Sequence, residues 1–211
     1  MEVIYLDNHL LVLYKRAGLL TQPSPQEADS LELQAKAYIK ERFSKKGNVF
    51  LHAVHRLDRA ASGLVLFART SKALKRLQEA FRKRDCQKIY LARVEGKGLQ
   101  GGDLCHFLRH DHMRAKLVSP QAKGARQATL RYRVIEESEK NTKVEIELFT
   151  GRYHQIRAQF AAIGHPILGD QKYGAKQASK SPGIQLEHCT LKIKHPVSGE
   201  FVHFETPSVL Y

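Results

Sequence analysis

The residues best suited to chemistry lie between His55 and Gly63, where the run His-Arg-Leu-Asp-Arg-Ala-Ala-Ser-Gly sets one carboxylate, Asp58, between two arginines, Arg56 and Arg59. An opposite charge within a few ångströms favours the ionised form of a carboxylate, and an ionised Asp can be a nucleophile or a base. The same triplet also reads as a surface charge cluster, the commoner state of such groupings. A second constellation is Thr150-Gly151-Arg152-Tyr153-His154-Gln155-Ile156-Arg157, which reads as the opening of a helix. Helix N-termini attract anions through unpaired N–H groups and the dipole, so Arg152, His154 and Gln155 are placed for a phosphate or a carboxylate. His154 and Arg157 sit three apart, on a face that can look at another part of the chain. A third group, His106, His110 and His112, has the residue types that ligate metals. No acidic or thiol partner completes it at a diagnostic spacing, and Arg109, Arg114 and Lys116 repel a cation, so no metal is expected there.

The elements that must position these residues follow from periodicity. Apolar residues at Val49, Phe50, Leu51, Ala53 and Val54, and again at Leu64 to Phe67, predict two buried strands joined by the Asp58 segment, which puts Asp58 where a sheet meets solvent. Upstream, Val3 to Leu6 and Leu10 to Tyr14 predict a hairpin turning at Asp7-Asn8-His9. Lys15, Arg16 and Gly18 follow it, either to bring positive charge to a phosphate or as an ordinary basic loop. Asp29 and Glu32 resemble a capping box, and Leu31, Ala35, Tyr38 and Ile39 predict an amphipathic helix from Leu31 to about Phe43. Thr70 or Ser71 caps a second helix with Leu74, Leu77, Ala80 and Phe81 on one stripe. Lys72, Lys75, Arg76, Arg82, Lys83 and Arg84 occupy the rest, as a solvated face or a phosphate-tracking one. Lys88 to Val94 alternates as a half-buried strand, with Tyr90 on the face of Ala92 and Val94. Ala128 to Ile135 and Thr142 to Leu148 predict a further hairpin. The helix opened by Thr150 to Arg157 is expected to run to about Ile163, burying Ile156, Phe160 and Ile163 and ending at Gly164. Leu186 to Ile193 and Phe201 to Phe204 predict a last hairpin.

The chain has 211 residues and is 42% hydrophobic, enough for a real core, and no repeat or long linker divides it, so a single domain over 1–211 is expected. Its 35 Lys and Arg against 21 Asp and Glu give a net charge of +14, with a pI near 9.8. Such an excess points to a polyanion, of which nucleic acid is the commonest. His106 to Arg126 then reads as a flexible basic loop facing RNA. A membrane-surface role is disfavoured, because the chain lacks Trp, has Glu2 where myristoylation needs glycine, and ends without a Cys box. No apolar run approaches the ~20 residues of a membrane span, and no signal peptide is visible. Cys86, Cys105 and Cys189 lie far apart, which suggests reduced thiols and a cytoplasmic location.

Taken together, these motifs resemble the RluA-type pseudouridine synthases. The resemblance covers nearly the whole chain. It rests on Lys15-Arg16-Ala17-Gly18, His55-Arg56-Leu57-Asp58 with Ser62-Gly63, Lys88-Ile89-Tyr90-Leu91-Ala92, Gly151-Arg152-Tyr153-His154-Gln155-Ile156-Arg157, and Gly169-Asp170-Gln171-Lys172-Tyr173-Gly174. It implies an α+β pseudouridine synthase fold, a long, mixed and mainly antiparallel sheet with flanking helices and a central active-site cleft. It implies isomerisation of a uridine in structured RNA, a tRNA or rRNA stem-loop, by a protein expected to act as a monomer without metal or organic cofactor. Asp58 is then the catalytic residue, Tyr90 lies against the target base, and Arg157 pairs with Asp58. Lys15, His55, Arg56, Arg152, His154 and Gln155 are the expected RNA-binding set, since the base must leave its stack and flanking phosphates must be gripped. The chain departs from the usual pattern at Arg16, Ala60, Ala61 and Gln159, none of them a reacting group. Many relatives carry an N-terminal S4-type RNA-binding domain, whereas this chain begins almost at the catalytic domain, so RNA selection is expected to rest on that domain or a partner. The alternatives are a non-catalytic RNA-binding protein that keeps the fold, and a metal-dependent hydrolase using the three histidines.

Overall fold

The computed structural model describes residues 1–179 and 182–206, and the chain divides into two compact units. The first is built from Met1–Cys86 together with the segment from Cys189, the second from Gln87–His188.

In the first unit, β1 (Glu2–Leu6) and β2 (Leu10–Lys15) form the expected antiparallel hairpin, and β4 (Ser62–Ala68) pairs antiparallel with β2. The Asp7 carboxylate sets the first turn by accepting the N–H groups of His9 at 2.7 Å and Leu10 at 2.6 Å, the usual service of an Asp in a tight turn. β4 neighbours β10 (Leu186–Lys194), which starts in the second unit and finishes in the first, and β11 (Phe201–Glu205) pairs with β10. All of β4 is buried, as its unbroken apolar run requires. α2 (Ser71–Lys83) lays Ala73 and Leu77 on a core that includes Leu10, Leu64, Leu66, Leu191 and Ile193, while Lys72, Lys75, Arg76, Arg82 and Lys83 stay exposed. Each fully buried leucine of this kind contributes about 1.5–3 kcal/mol. Thr70 caps α2 by accepting the Ala73 N–H at 3.1 Å.

Two expectations here need correction. The strand before the Asp58 segment is only β3 (His52–Ala53), and Phe50 is exposed, because pairing with β4 runs no further back than His52, with the Val54 N–H adding one bond to the Leu66 carbonyl at 2.8 Å. α1 (Leu31–Arg42) begins where expected but is capped by Ser30, whose side chain accepts the Leu33 N–H, and not by an Asp29–Glu32 box. Asp29 lies one residue too early and takes the Gln34 amide instead. Glu32 turns inward, accepting from Gln22, Lys36 and the Ala53 N–H at 3.0, 2.8 and 3.2 Å.

The second unit is an antiparallel sheet ordered β5-β9-β8-β6-β7, with β5 (Cys86–Glu95), β6 (Gly102–Asp111), β7 (Arg114–Leu117), β8 (Arg126–Glu137) and β9 (Asn141–Leu148). The alternation of β5 is complete, with Lys88, Tyr90, Ala92 and Val94 buried. α3 (Gln155–Ala162) covers this sheet, its Phe160 ring edge-on to Tyr132 at 5.2 Å. Every residue from Gln155 to Phe160 is buried, so α3 lacks the single apolar stripe that its spacing suggested. The expected loop from His106 to Arg126 is instead largely the β6–β7 hairpin, whose polar outer face hides its alternation. Both units show the mainly antiparallel α+β design expected. Among the described residues no helix is long and apolar enough to cross a membrane, and Cys86, Cys105 and Cys189 are free thiols.

Candidate active site

Asp58 sits on irregular backbone between β3 and β4, half-buried, with the residues on either side fixed from outside the segment. On the near side, the His55 ring stacks on Phe81 at 5.2 Å and its Nε2 accepts the Leu66 N–H at 3.2 Å. Accepting a backbone N–H leaves Nε2 unprotonated, so His55 anchors the segment as a neutral ring. Leu57 is held by Thr21, whose hydroxyl donates to the Leu57 carbonyl and accepts the Leu57 N–H, both at 3.1 Å. On the far side, the Arg59 carbonyl accepts the Gly18 N–H at 2.7 Å and the Lys15 ammonium at 3.3 Å. Gly18 has φ +92°, a conformation that L side chains rarely adopt.

The charges around Asp58 differ from those its neighbours in sequence suggested. Arg59 is turned away, its Nε donating to the Gly18 carbonyl at 2.8 Å and its Nη1 paired with Glu27 at 2.9 Å. Lys15 takes the place expected for it. Fully buried, it donates to the carbonyls of Arg16, Leu19 and Arg59 at 3.1, 2.8 and 3.3 Å. Burial brings its ammonium down to about 8, against the opposing pull of the Asp58 charge, with Arg59 adding to the lowering. Lys15 is thus out of reach of an RNA phosphate, and its expected RNA contact is replaced by a contribution to the Asp58 field. The signal was present in β2, where alternation puts Lys15 on the face of Leu11 and Leu13. Arg56 is exposed and has no partner among the described residues.

In the second unit, Tyr90 is 7% exposed and its ring stacks on His188 at 4.5 Å and 19°. Nothing in the sequence reading singled out His188. The turn into α3 is held by Gln155, which is buried. Its Oε1 accepts from the Thr150 hydroxyl at 2.7 Å and the Arg152 N–H at 3.1 Å, and its amide donates to the Thr129 carbonyl at 3.1 Å. Gln155 therefore holds the turn from inside and does not present its amide to solvent. Arg152 is exposed, with Nε on the Gln127 carbonyl at 2.9 Å.

His154 precedes α3 in the left-handed region at φ 50° and is buried, with Tyr153 stacked on it at 3.9 Å and Nδ1 at 3.0 Å from the Tyr173 hydroxyl. Burial, reinforced by the charges of Arg157 and Lys172, pushes its imidazole down to about 3. A ring that is neutral at every physiological pH cannot grip a phosphate by charge, so that expectation is withdrawn. Arg157 is buried and makes a two-pronged pair with Asp170, Nε to Oδ2 at 2.7 Å and Nη2 to Oδ1 at 2.8 Å, beneath the Tyr173 ring at 5.0 Å. Asp170 was visible only as a member of the Gly169–Gly174 motif, without a role. Gln159, one of the departures, is fully buried and bonds to the Leu104 and Ala128 carbonyls and to His106. His110 leans on Tyr153 at 4.3 Å, and among the described residues no group of three His, Cys, Asp or Glu could hold a metal ion.

Comparison with known proteins supplies the family. The pattern defining the RNA pseudouridylate synthase family matches residues 9–162. A dual-specificity RNA pseudouridine synthase RluA from Haemophilus influenzae is 36% identical, over 99% of this chain and 93% of its own length. The chain belongs to the RluA-type RNA pseudouridine synthases. A relative of the same name from Salmonella typhi is 34% identical over 99% of the chain and 93% of its own length. The ribosomal large subunit pseudouridine synthase D of Vibrio cholerae is 32% identical, over 98% of the chain and 67% of its own length. The synthase shares its fold with the human RNA pseudouridylate synthase domain containing 4 protein, at TM-score 0.80 and 22% identity over 99% of this chain and 90% of that one. It is an isomerase acting on uridine in RNA. Its exposed cations include Arg16 and Arg56 in the first unit, and Arg109, Arg114, Lys116 and Arg152 in the second.

Proposed function

We propose that the synthase uses Asp58 as its reacting carboxylate on uridines in tRNA or rRNA stem-loops, acting as a cytoplasmic monomer and as one catalytic body. The observation that carries the assignment is the loop itself. It is a half-buried carboxylate on non-repetitive backbone, clamped at Leu57 and Arg59 and set in the field of a buried lysine. Placing a reacting group within a fraction of an ångström is what such immobilisation achieves. In the reaction the C1′–N1 bond breaks, C1′ bonds to C5, the C5 hydrogen leaves as a proton, and N1 gains one. Asp58 either attacks C1′ or removes a proton from C2′, and a charged carboxylate serves both routes. Tyr90 and Arg157 are assigned by resemblance to the base and to Asp58, and Arg56 and Arg152, both exposed, to the flanking phosphates. The name of the Haemophilus influenzae relative favours acceptance of more than one RNA site, and that of the Vibrio cholerae relative favours rRNA among them. The test is Asp58→Asn, with pseudouridines mapped in total RNA from cells with and without the synthase. The variant should bind RNA normally and restore no pseudouridine; restored sites refute the assignment.

A further inference from the structure

Nothing in the chemistry of the reaction uses Thr21, yet its side chain is 3% exposed and makes two hydrogen bonds to one residue far away in sequence. That residue is Leu57, the immediate neighbour of Asp58. The hydroxyl accepts the Leu57 N–H and donates to the Leu57 carbonyl, each at 3.1 Å, so a single side chain fixes both peptide planes flanking Leu57. Thr21 is itself tied to α1. Its carbonyl accepts the Glu32 N–H at 3.1 Å, and the Leu20 carbonyl accepts the Leu31 N–H at 2.8 Å. The Glu32 carboxylate also accepts the Ala53 N–H at 3.2 Å. The first turn of α1 therefore holds the chain at Ala53 directly and at Leu57 through Thr21, at both ends of the stretch that leads into Asp58.

We propose that Thr21 is a positioning residue for Asp58, transmitting the placement of α1 to the carboxylate through the backbone of Leu57. The inference rests on the assignment of Asp58. A threonine suits the task because its hydroxyl offers one donor and an acceptor at the same atom, as a peptide partner would across a strand pair. Valine has nearly the same shape and offers neither. In Thr21→Val the loop keeps its packing and loses the two bonds that set the direction of the Asp58 Cα–Cβ vector, while the exposed cations are untouched. Chemistry should suffer and RNA binding should not.

The experiment uses the full chain and a pool of unmodified tRNA and large-subunit rRNA transcripts tritiated at uridine C5, since that hydrogen leaves when C5 bonds to C1′. Single-turnover rate constants with the synthase in excess are compared for wild type, Thr21→Val, Thr21→Ser and Asp58→Asn, with RNA affinity measured by filter binding. A displacement of an ångström or less at a reacting group costs up to about 100-fold, so Thr21→Val should be about 10-fold to 100-fold slower with affinity within about 3-fold. Thr21→Ser, which keeps the hydroxyl, should recover most of the rate. A role only in holding the fold would lower the amplitude of the reaction and leave its rate constant alone. A wild-type rate in Thr21→Val overturns the proposal, as does an equal loss in Thr21→Ser. Turnover by Asp58→Asn overturns the Asp58 assignment itself, a different outcome. If Thr21→Val does not fold, Thr21→Ala at a lower temperature answers the same question against Thr21→Ser.

Discussion

Replacing Asp170 by asparagine should do more damage than removing any exposed charge in the synthase. Asp170 is 1% exposed and Arg157 5%, and the guanidinium meets the carboxylate along two bonds of 2.7 and 2.8 Å. Asparagine keeps the shape but offers one acceptor where two stood, and turns an NH2 toward a guanidinium nitrogen. Breaking a buried ion pair by removing the charge of one partner costs about 3–5 kcal/mol, because the remaining ion stays out of water and gives up the charge-assisted bonds it made to that partner. For a chain of this size, about 2–4 °C of melting temperature accompanies each kcal/mol, so calorimetry should find Asp170→Asn melting about 6–20 °C lower. Arg131 and Asp103 provide the control. Their bonds, 2.7 and 3.1 Å, are comparable, but both side chains are more than half exposed, and Asp103→Asn should scarcely move the melting temperature. The double replacement Arg157→Met with Asp170→Leu should recover much of the lost stability, since an apolar pair needs no desolvation. A melting temperature for Asp170→Asn within about 2 °C of wild type would refute the account, as it would mean that the pair does not hold the turn after α3.

Arg157→Ala should be severely impaired in single-turnover assays at saturating synthase while still binding RNA; a near-normal rate would show that Asp58 is held by other groups. His154 yields a pH dependence. Its folded value of about 3 lies below its ordinary 6.5, so the unfolded chain takes up a proton that the folded one refuses. This contribution to stability is present above about pH 6.5 and is lost progressively as the pH falls toward 3, which denaturant melts across that range should record. Labelled-histidine NMR should find that the His154 imidazole does not titrate between pH 5 and 8.

Periodicity carried most of the fold. The hairpin β1–β2, the buried run of β4, α1, α2 and the alternation of β5 all follow from where apolar residues recur, because one face of each must leave water. It failed where polar groups do structural work. The β6–β7 hairpin alternates weakly because Arg109, Arg114 and Lys116 crowd its open side while a polar residue, His110, lies on the other face against Tyr153. α3 disguises itself by burying Gln155, Arg157 and Gln159, whose partners are distant carbonyls and a carboxylate. At the site, motif order pointed to Asp58, Tyr90 and Arg157, with Arg157 expected to pair with Asp58, while the arginines beside Asp58 in sequence were also read as its charge neighbours. Arg59 turned to Glu27 and buried Lys15 took its place, a contact set by how two loops cross and not by spacing along the chain. Thr21 and His188 were invisible for the same reason, since the contacts described for their side chains are with residues remote in sequence.

One feature of the first unit bears on how the synthase is born. Its core joins Leu10, Val12, Leu64 and Leu66 to Leu191, Ile193 and Phe204, residues separated by the whole of the second unit. A ribosome makes Gln87–His188 as one uninterrupted stretch, but must finish Cys189 to Glu205 before the N-terminal strands find their last neighbours. Nascent chains carrying Asp58 therefore wait for β10 and β11, and a message cut short before β10 yields a loop with no finished scaffold beneath it.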